Sequence, residues 1–147
     1  MPGEAKTDLV YCLRMLEAIG KIEVYSRNFD DPFEFFEVAE QRNFNASLLL
    51  LLHIGEQVNR LSNSLKQATP QVPWQQIKAF RNIVAHEYIG VDRLVVFETI
   101  KKYLPKLGSD IAAIIRESVR VGIFDQEEYQ LSKDSAYYRH IHFSSIL

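Results

Sequence analysis

Five consecutive leucines, Leu48 to Leu52, sit inside the stretch "NFNASLLLLLHIGEQVNRLS". A helical segment that is apolar all round has to be buried on several sides. Downstream the pattern narrows to one stripe, Ile54, Val58, Leu61 and Leu65, while Glu56, Gln57, Asn59 and Arg60 face outward or toward a partner. The spacing predicts one long helix over roughly Asn43 to Ala68. It stops at "ATPQVP", because prolines 70 and 73 cannot continue a helix.

The rest of the chain has to supply the elements that enclose this run, and it reads as helices with short connections. Leu9, Leu13, Leu16, Ala18 and Ile19 recur at three- and four-residue spacings over about Lys6 to Arg27. "NFDDPFEFFEVAEQ" opens a short helix, roughly Pro32 to Gln41. Asp30 or Asp31 can cap it, Pro32 suits the first helical position, and Glu34 and Glu37 suit the positive end of its dipole. A fourth helix starts near Pro73-Trp74 and stops near Tyr88 to Gly90. Asp92 can cap a fifth, about Arg93 to Arg120, in which Pro105 predicts a kink or break. No strand alternation persists, so the expected class is all-α, an antiparallel bundle of about five helices over residues 1–120. Residues 121–147 lose the helical period and read as a C-terminal extension, packed on a neighbour or flexible.

Size and composition agree with this. The 147 residues suffice for one domain with a real core, and 47% hydrophobic against 24% charged is the balance of a globular chain. The leucine run is far too short for a membrane span. Met1-Pro2-Gly3-Glu4 does not read as a secretory leader. The single cysteine, Cys12, excludes an internal disulfide framework, reads as core and is compatible with a reducing cytoplasm. Net charge is −2, but it is unevenly spread. Residues 1–40 hold four basic and nine acidic side chains, residues 41–120 eleven and six, and residues 121–147 two and four. The middle of the chain can attract a polyanion although the whole does not.

Chemistry concentrates in "FRNIVAHEYIGVD", residues 80–92. On a helix, Trp74, Ile77, Val84, Ala85 and Tyr88 share one side, and Arg81 falls within that stripe. An arginine among apolar neighbours needs a partner or a cleft. The structural reading is an ion pair with Glu56 or Glu87, a polar helix end at His86, and a core ring at Tyr88. The functional reading makes His86 a general base or acid and Arg81 a phosphate clamp, with Asn82 orienting His86 across one turn. RNA brings its own nucleophile, the 2′-hydroxyl, so a base and a cation suffice and no metal or cofactor is required. One copy of the set is sparse, whereas two copies across a symmetric dimer would place two histidines and two arginines in one groove. His53 reads as structural. His140 and His142 form an H-x-H without a nearby carboxylate or cysteine, which is a poor metal site. There is no Gly-rich phosphate loop and no CxxC.

With those residues in place, "RNIVAHEY" (81–88) resembles the R-x4-H-x-Y signature of HEPN-domain proteins, specifically the HepT-like (DUF86) group. "HIGEQVNRLS" (53–62), "PQVPWQQIKAFRN" (70–82), "YIGVD" (88–92) and "VFETIKKYLPKL" (96–107) extend the resemblance over roughly residues 6–116. It implies a helical-bundle homodimer with the motif at the dimer cleft, and a metal-independent endoribonuclease that is the toxin of a toxin–antitoxin pair. Arg81 and His86 would be catalytic, with Asn82 the polar residue beside the arginine. Tyr88 would be the tyrosine to which a partner, a minimal nucleotidyltransferase, adds AMP, blocking the cleft by bulk and charge. Two alternatives stand beside this: a non-catalytic binding subunit of a nucleotidyltransferase complex, and a purely structural helical dimer. The sequence departs from the family where leucines precede I-G-E, and where the tail runs past the usual length.

Overall fold

The computed structural model describes residues 2–147 of the chain, so Met1, part of the leader reading, lies outside the described residues. The described residues are mostly helical and contain no strand. Helix α1 spans Pro2–Ser26 and runs along α2, Pro32–Arg60; this is the most extensive pairing in the fold. Asp31 caps α2 by accepting from the Phe33 amide at 2.9 Å, with Pro32 at the first helical position.

Helix α2 has two legs. The expected stop near Gln41 is a reversal in which Val38 is extended and Ala39, Glu40 and Gln41 have φ of 51°, 56° and 67°. None is glycine, and left-handed backbone costs such residues about 1–2 kcal/mol each. Aromatic packing offsets that cost. Phe35 is fully buried, with ring centroids 5.7 Å from Phe29, 6.3 Å from Phe44 and 5.6 Å from Phe97. The Arg93 guanidinium lies over both Phe33 and Phe36, at 4.9 and 4.8 Å. The short leg is thereby clamped to the helix after Asp92.

The long leg does not continue to Ala68. It ends at Arg60, and a separate helix α3 covers Asn63–Ala68. The break is made by a residue far away in sequence. The buried Asp8 of α1 accepts from the Ser62 amide at 2.9 Å and from its hydroxyl at 2.6 Å, and the Ser62 hydroxyl oxygen in turn caps α3 at the Leu65 amide. Within the leucine run, Leu48 and Leu51 are buried and Leu50 and Leu52 half-buried, but Leu49 is 65% exposed. The enclosure expected for the run is therefore incomplete in the isolated chain.

Helix α4, Trp74–His86, packs on α2. Its first residue is anchored by the Trp74 indole N–H, which donates to the Thr69 carbonyl and hydroxyl, both at 3.2 Å. Asp92 caps α5, Arg93–Glu98, through the Leu94 amide at 2.9 Å. The irregularity expected at Pro105 sits just before it: a wide π-type turn over Thr99–Tyr103 joins α5 to α6, Leu104–Arg120. That turn absorbs the hydrogen bond the proline cannot make.

The tail is folded onto its own chain. Gly122, with φ of 82°, reverses the chain after α6. Helix α7, Gln126–Ser132, buries Tyr129 completely, and 3₁₀ turns at Ala136–Tyr138 and Phe143–Ser145 come next. Phe124, Ile141 and Ile146 join the core. Arg116 of α6 donates to the carbonyls of Ile146 at 2.6 Å and Ser145 at 3.0 Å. The extension is thus a strap across α1 and α6, with neither a neighbouring molecule nor flexibility required to explain it.

Candidate active site

The site begins with a missing side chain on α2. A Cβ on Gly55 would lie 2.3 Å from both Cβ and Cγ of Arg81, so only glycine lets α4 come this close. A glycine between Ile54 and Val58 weakens the helix by roughly 1 kcal/mol relative to alanine, a cost that points to a packing role. The next residue, Glu56, takes the cation that Gly55 admits: its carboxylate accepts from Arg81 Nη2. Arg81 Nη1 donates to Asn82 Oδ1 at 3.2 Å, and Arg81 Nε is buried without a protein partner among the described residues. Of the two carboxylates expected for Arg81, the structure selects Glu56. Asn82, expected to orient His86, is instead engaged by Arg81.

Beyond Arg81 the helix leaves the core. Val84 is fully buried and holds α4 down, while Ile83, Ala85 and His86 face outward. The helix closes with the Glu87 amide donating to the Ile83 carbonyl at 2.9 Å. Among the described residues His86 has no side-chain hydrogen-bond partner, and Tyr88 is not a core ring but 46% exposed, beside Ile89 at 98%. His86, Tyr88 and Gly90 line one shallow open depression at the end of α4. The structure therefore brings His86 and Tyr88 together in one depression facing solvent, and seats Arg81 outside that depression, five residues earlier on α4 against Glu56.

The other sequence candidates fall elsewhere. Cys12 is fully buried and burial pushes its thiol well above the ordinary range, with Asp8 adding to the shift, so it is an inert core residue. His53 is half-buried and Gln57 Nε2 donates to its Nδ1 at 3.4 Å. Burial holds its pKa below the ordinary 6.5, assisted by Arg14, Arg60 and Lys21, with Glu56 pulling the other way. His140 Nδ1 lies 2.7 Å from a Glu17 oxygen, so the H-x-H has a carboxylate beside it that the local sequence does not reveal. Even so, no cluster of three or more His, Cys, Asp or Glu among the described residues could hold a metal ion. No helix among them is long and apolar enough to cross a membrane.

An all-α bundle that presents R-N-x3-H-x-Y at the end of one helix, against I-G-E on another, has the fold and motif of a HEPN-type protein. The chain belongs to the ribonuclease HepT-like family, whose model matches residues 15–114. It is similar to a probable ribonuclease HepT of Thermococcus cleftensis, 33% identical over 97 residues that make up 66% of this chain and 86% of that protein. A candidate RNase of Methanocaldococcus jannaschii is 28% identical over 91 residues, 61% of this chain and 75% of its own length. Another, from Caldanaerobacter subterraneus subsp. tengcongensis, is 34% identical over 64 residues, 44% of this chain and 57% of that one. No solved structure matches the chain.

Proposed function

We propose that this protein is a cytoplasmic endoribonuclease toxin, cleaving RNA without a metal in the cleft of a homodimer. The observation that carries the reading is one fixed group and two exposed ones on the same motif: Arg81 seated over Gly55 by Glu56, with His86 and Tyr88 exposed at the end of α4. His86 takes the proton of a 2′-hydroxyl as its oxygen bonds to phosphorus and the bond to the 5′-oxygen breaks. The leaving oxygen takes a proton from the second copy's histidine, giving a 2′,3′-cyclic phosphate and a 5′-hydroxyl. Arg81 stabilises charge on the phosphoryl oxygens. Exposed apolar residues support the dimer. Leu49 lies on the same stripe of α2 as Glu56, seven residues away, and Ile83, Tyr88 and Ile89 surround His86. Residues 1–120 form the HEPN unit on this reading, and residues 121–147 are an added segment.

The off switch is Tyr88. Its exposed phenol is open to a partner nucleotidyltransferase antitoxin, and an added AMP would bring bulk and negative charge beside His86. The test has two arms. Expression of the wild type should arrest growth and expression of His86→Ala should not; equal growth sinks the toxin reading. Incubation with the partner and ATP should add the mass of AMP to the wild type and not to Tyr88→Phe. The non-catalytic binding subunit is favoured by one observation, that Glu56 already neutralises Arg81 in the free chain. It predicts complex formation with the nucleotidyltransferase and intact RNA.

A further inference from the structure

A cleft of about 380 Å³ opens between α1, α2 and the strap, within the roughly 300–1,000 Å³ typical of ligand sites. Its walls carry Arg14 and Lys21 from α1, His53 from α2, and Ser135, Tyr137 and Tyr138 from the strap. The strap residues lie outside the span that matches the family model, so the cleft depends on a part of this chain the family match does not include.

The charge in the cleft is only partly compensated, Lys21 by Glu17 and Arg14 by no carboxylate among the described residues. Among the described residues neither Arg14 nor the nearby Arg60 has an ion-pair partner. The one carboxylate in the walls, Glu17, is occupied: it accepts from the His140 amide at 2.7 Å, its other oxygen meets His140 Nδ1 at 2.7 Å, and Lys21 lies 3.8 Å away. Arg14, Lys21 and Arg60 all act on His53 to disfavour its charged form, as expected where positive potential accumulates. Two tyrosines line the same cleft as Arg14 and Lys21. Tyr137 is 83% exposed, and its backbone is fixed by its own amide donating to the Ser135 hydroxyl at 3.1 Å. Cations beside an exposed ring are the two elements that hold an unpaired nucleotide, one for phosphate and one for the base.

Position selects the strand. His53 precedes Glu56 by three residues on α2, a rise of about 4.5 Å, and Leu49, His53, Glu56 and Arg60 form one helical stripe. The cleft and the Arg81 site are therefore adjoining parts of one surface. We infer that the cleft is a docking site for single-stranded RNA, in which Arg14 and Lys21 hold a backbone phosphate and Tyr137 stacks on the adjoining base. This rests on the ribonuclease reading, since the strand it holds is the one whose scissile phosphate lies at Arg81 and His86.

The test measures binding and cleavage separately. Binding of a fluorescein-labelled single-stranded RNA is followed by anisotropy in the His86→Ala protein, alone and combined with Arg14→Ala/Lys21→Ala, Tyr137→Ala or Tyr137→Phe. The exposed positions of Arg14 and Tyr137 make these variants compatible with folding, which circular dichroism checks. Arg14→Ala/Lys21→Ala should weaken binding about tenfold and flatten its salt dependence. Tyr137→Ala should weaken it about tenfold with the salt slope kept, and Tyr137→Phe should restore it. With His86 in place, the same substitutions should raise KM and leave kcat within about twofold. Unchanged Kd and KM overturn the docking site while the nuclease reading stands. Binding that depends on Arg14 and Tyr137 with no RNA cleaved by the wild type supports the docking site and ends the nuclease reading. No RNA binding at all overturns both. Displacement by free AMP at concentrations near the RNA Kd overturns RNA as the occupant.

Discussion

The α2–α4 junction and the α1–strap junction use one device for opposite ends. In each, a glycine in a helix admits a second segment to a distance no Cβ would allow. A Cβ on Gly55 would meet the Arg81 side chain at 2.3 Å, and one on Gly20 would meet the His140 carbonyl at 2.2 Å. In each, a glutamate on the same helix catches the arriving polar group: Glu56 takes the Arg81 guanidinium and Glu17 takes the His140 amide and ring. The two junctions differ in the course of the chain beyond the contact. After His140 the chain buries Ile141 and Ile146 and closes on Arg116. After Arg81 only Val84 is buried before Gly90, and His86 and Tyr88 are exposed. The close approach is followed by a buried, closed segment at the strap and by exposed side chains at α4, which on the proposed function are the reactive ones.

The contrast yields measurable differences. The largest effect should come from the strap's anchor. Tyr129 is wholly enclosed, and Tyr129→Ala should cost about 3–5 kcal/mol in urea unfolding. A loss near zero would mean the strap contributes nothing to the fold. The two glycines form a matched pair. Gly20→Ala and Gly55→Ala should each cost about 1–3 kcal/mol, because the added methyl forces backbone or side-chain shifts. Gly20→Ala should expose the tail to limited proteolysis at Lys133 and Arg139 while kcat persists. Gly55→Ala should leave the tail protected and lower kcat at least tenfold, by displacing Arg81 from its seat. Identical behaviour of the two variants would dissolve the comparison. Glu56→Gln should change stability by less than about 1 kcal/mol, since the ion pair is part-exposed, yet lower cleavage because Arg81 loses the partner that positions it.

The smallest effect is on pH. His53 is held below the ordinary 6.5 in the folded chain. Below pH 6.5 the unfolded chain binds a proton at this position that the folded chain resists, so this contribution to stability is full above pH 6.5 and is lost as pH falls from there through the lowered folded value. His53→Gln should flatten that slope in unfolding curves measured between pH 5 and pH 7. An unchanged slope would place the pH dependence elsewhere.

Much of this was legible where the controlling residues are local. Asp31-Pro32 and Asp92 mark helix starts, and Pro70 with Pro73 marks a stop, because capping and ring constraints act within a few residues. Features set by distant partners were not. Ser62 ends α2 because Asp8, 54 residues earlier, claims its amide and hydroxyl. The turn at Ala39–Gln41 has no glycine or asparagine to announce it and is held by aromatic packing around Phe35. The strap has anchors spaced without helical period, so no window of the sequence reveals its burial. At the site, the placement of Arg81 in an apolar stripe followed from face assignment, but its partner stayed open between Glu56 and Glu87, and the approach of α4 to α2 over Gly55 decides for Glu56. The pairing of Asn82 with Arg81 rather than His86 is a rotamer choice, which spacing does not determine.

Whether the group left free at the α2–α4 junction performs chemistry can be measured directly. The quantity is the rate at which purified wild type and His86→Ala cleave a labelled single-stranded RNA in the presence of excess chelator. The wild type should cleave, leaving 2′,3′-cyclic phosphate ends, and His86→Ala should lose about a hundredfold or more in rate. Equal rates for the two proteins, or cleavage by the wild type that stops with the chelator, would contradict a histidine-driven, metal-free nuclease.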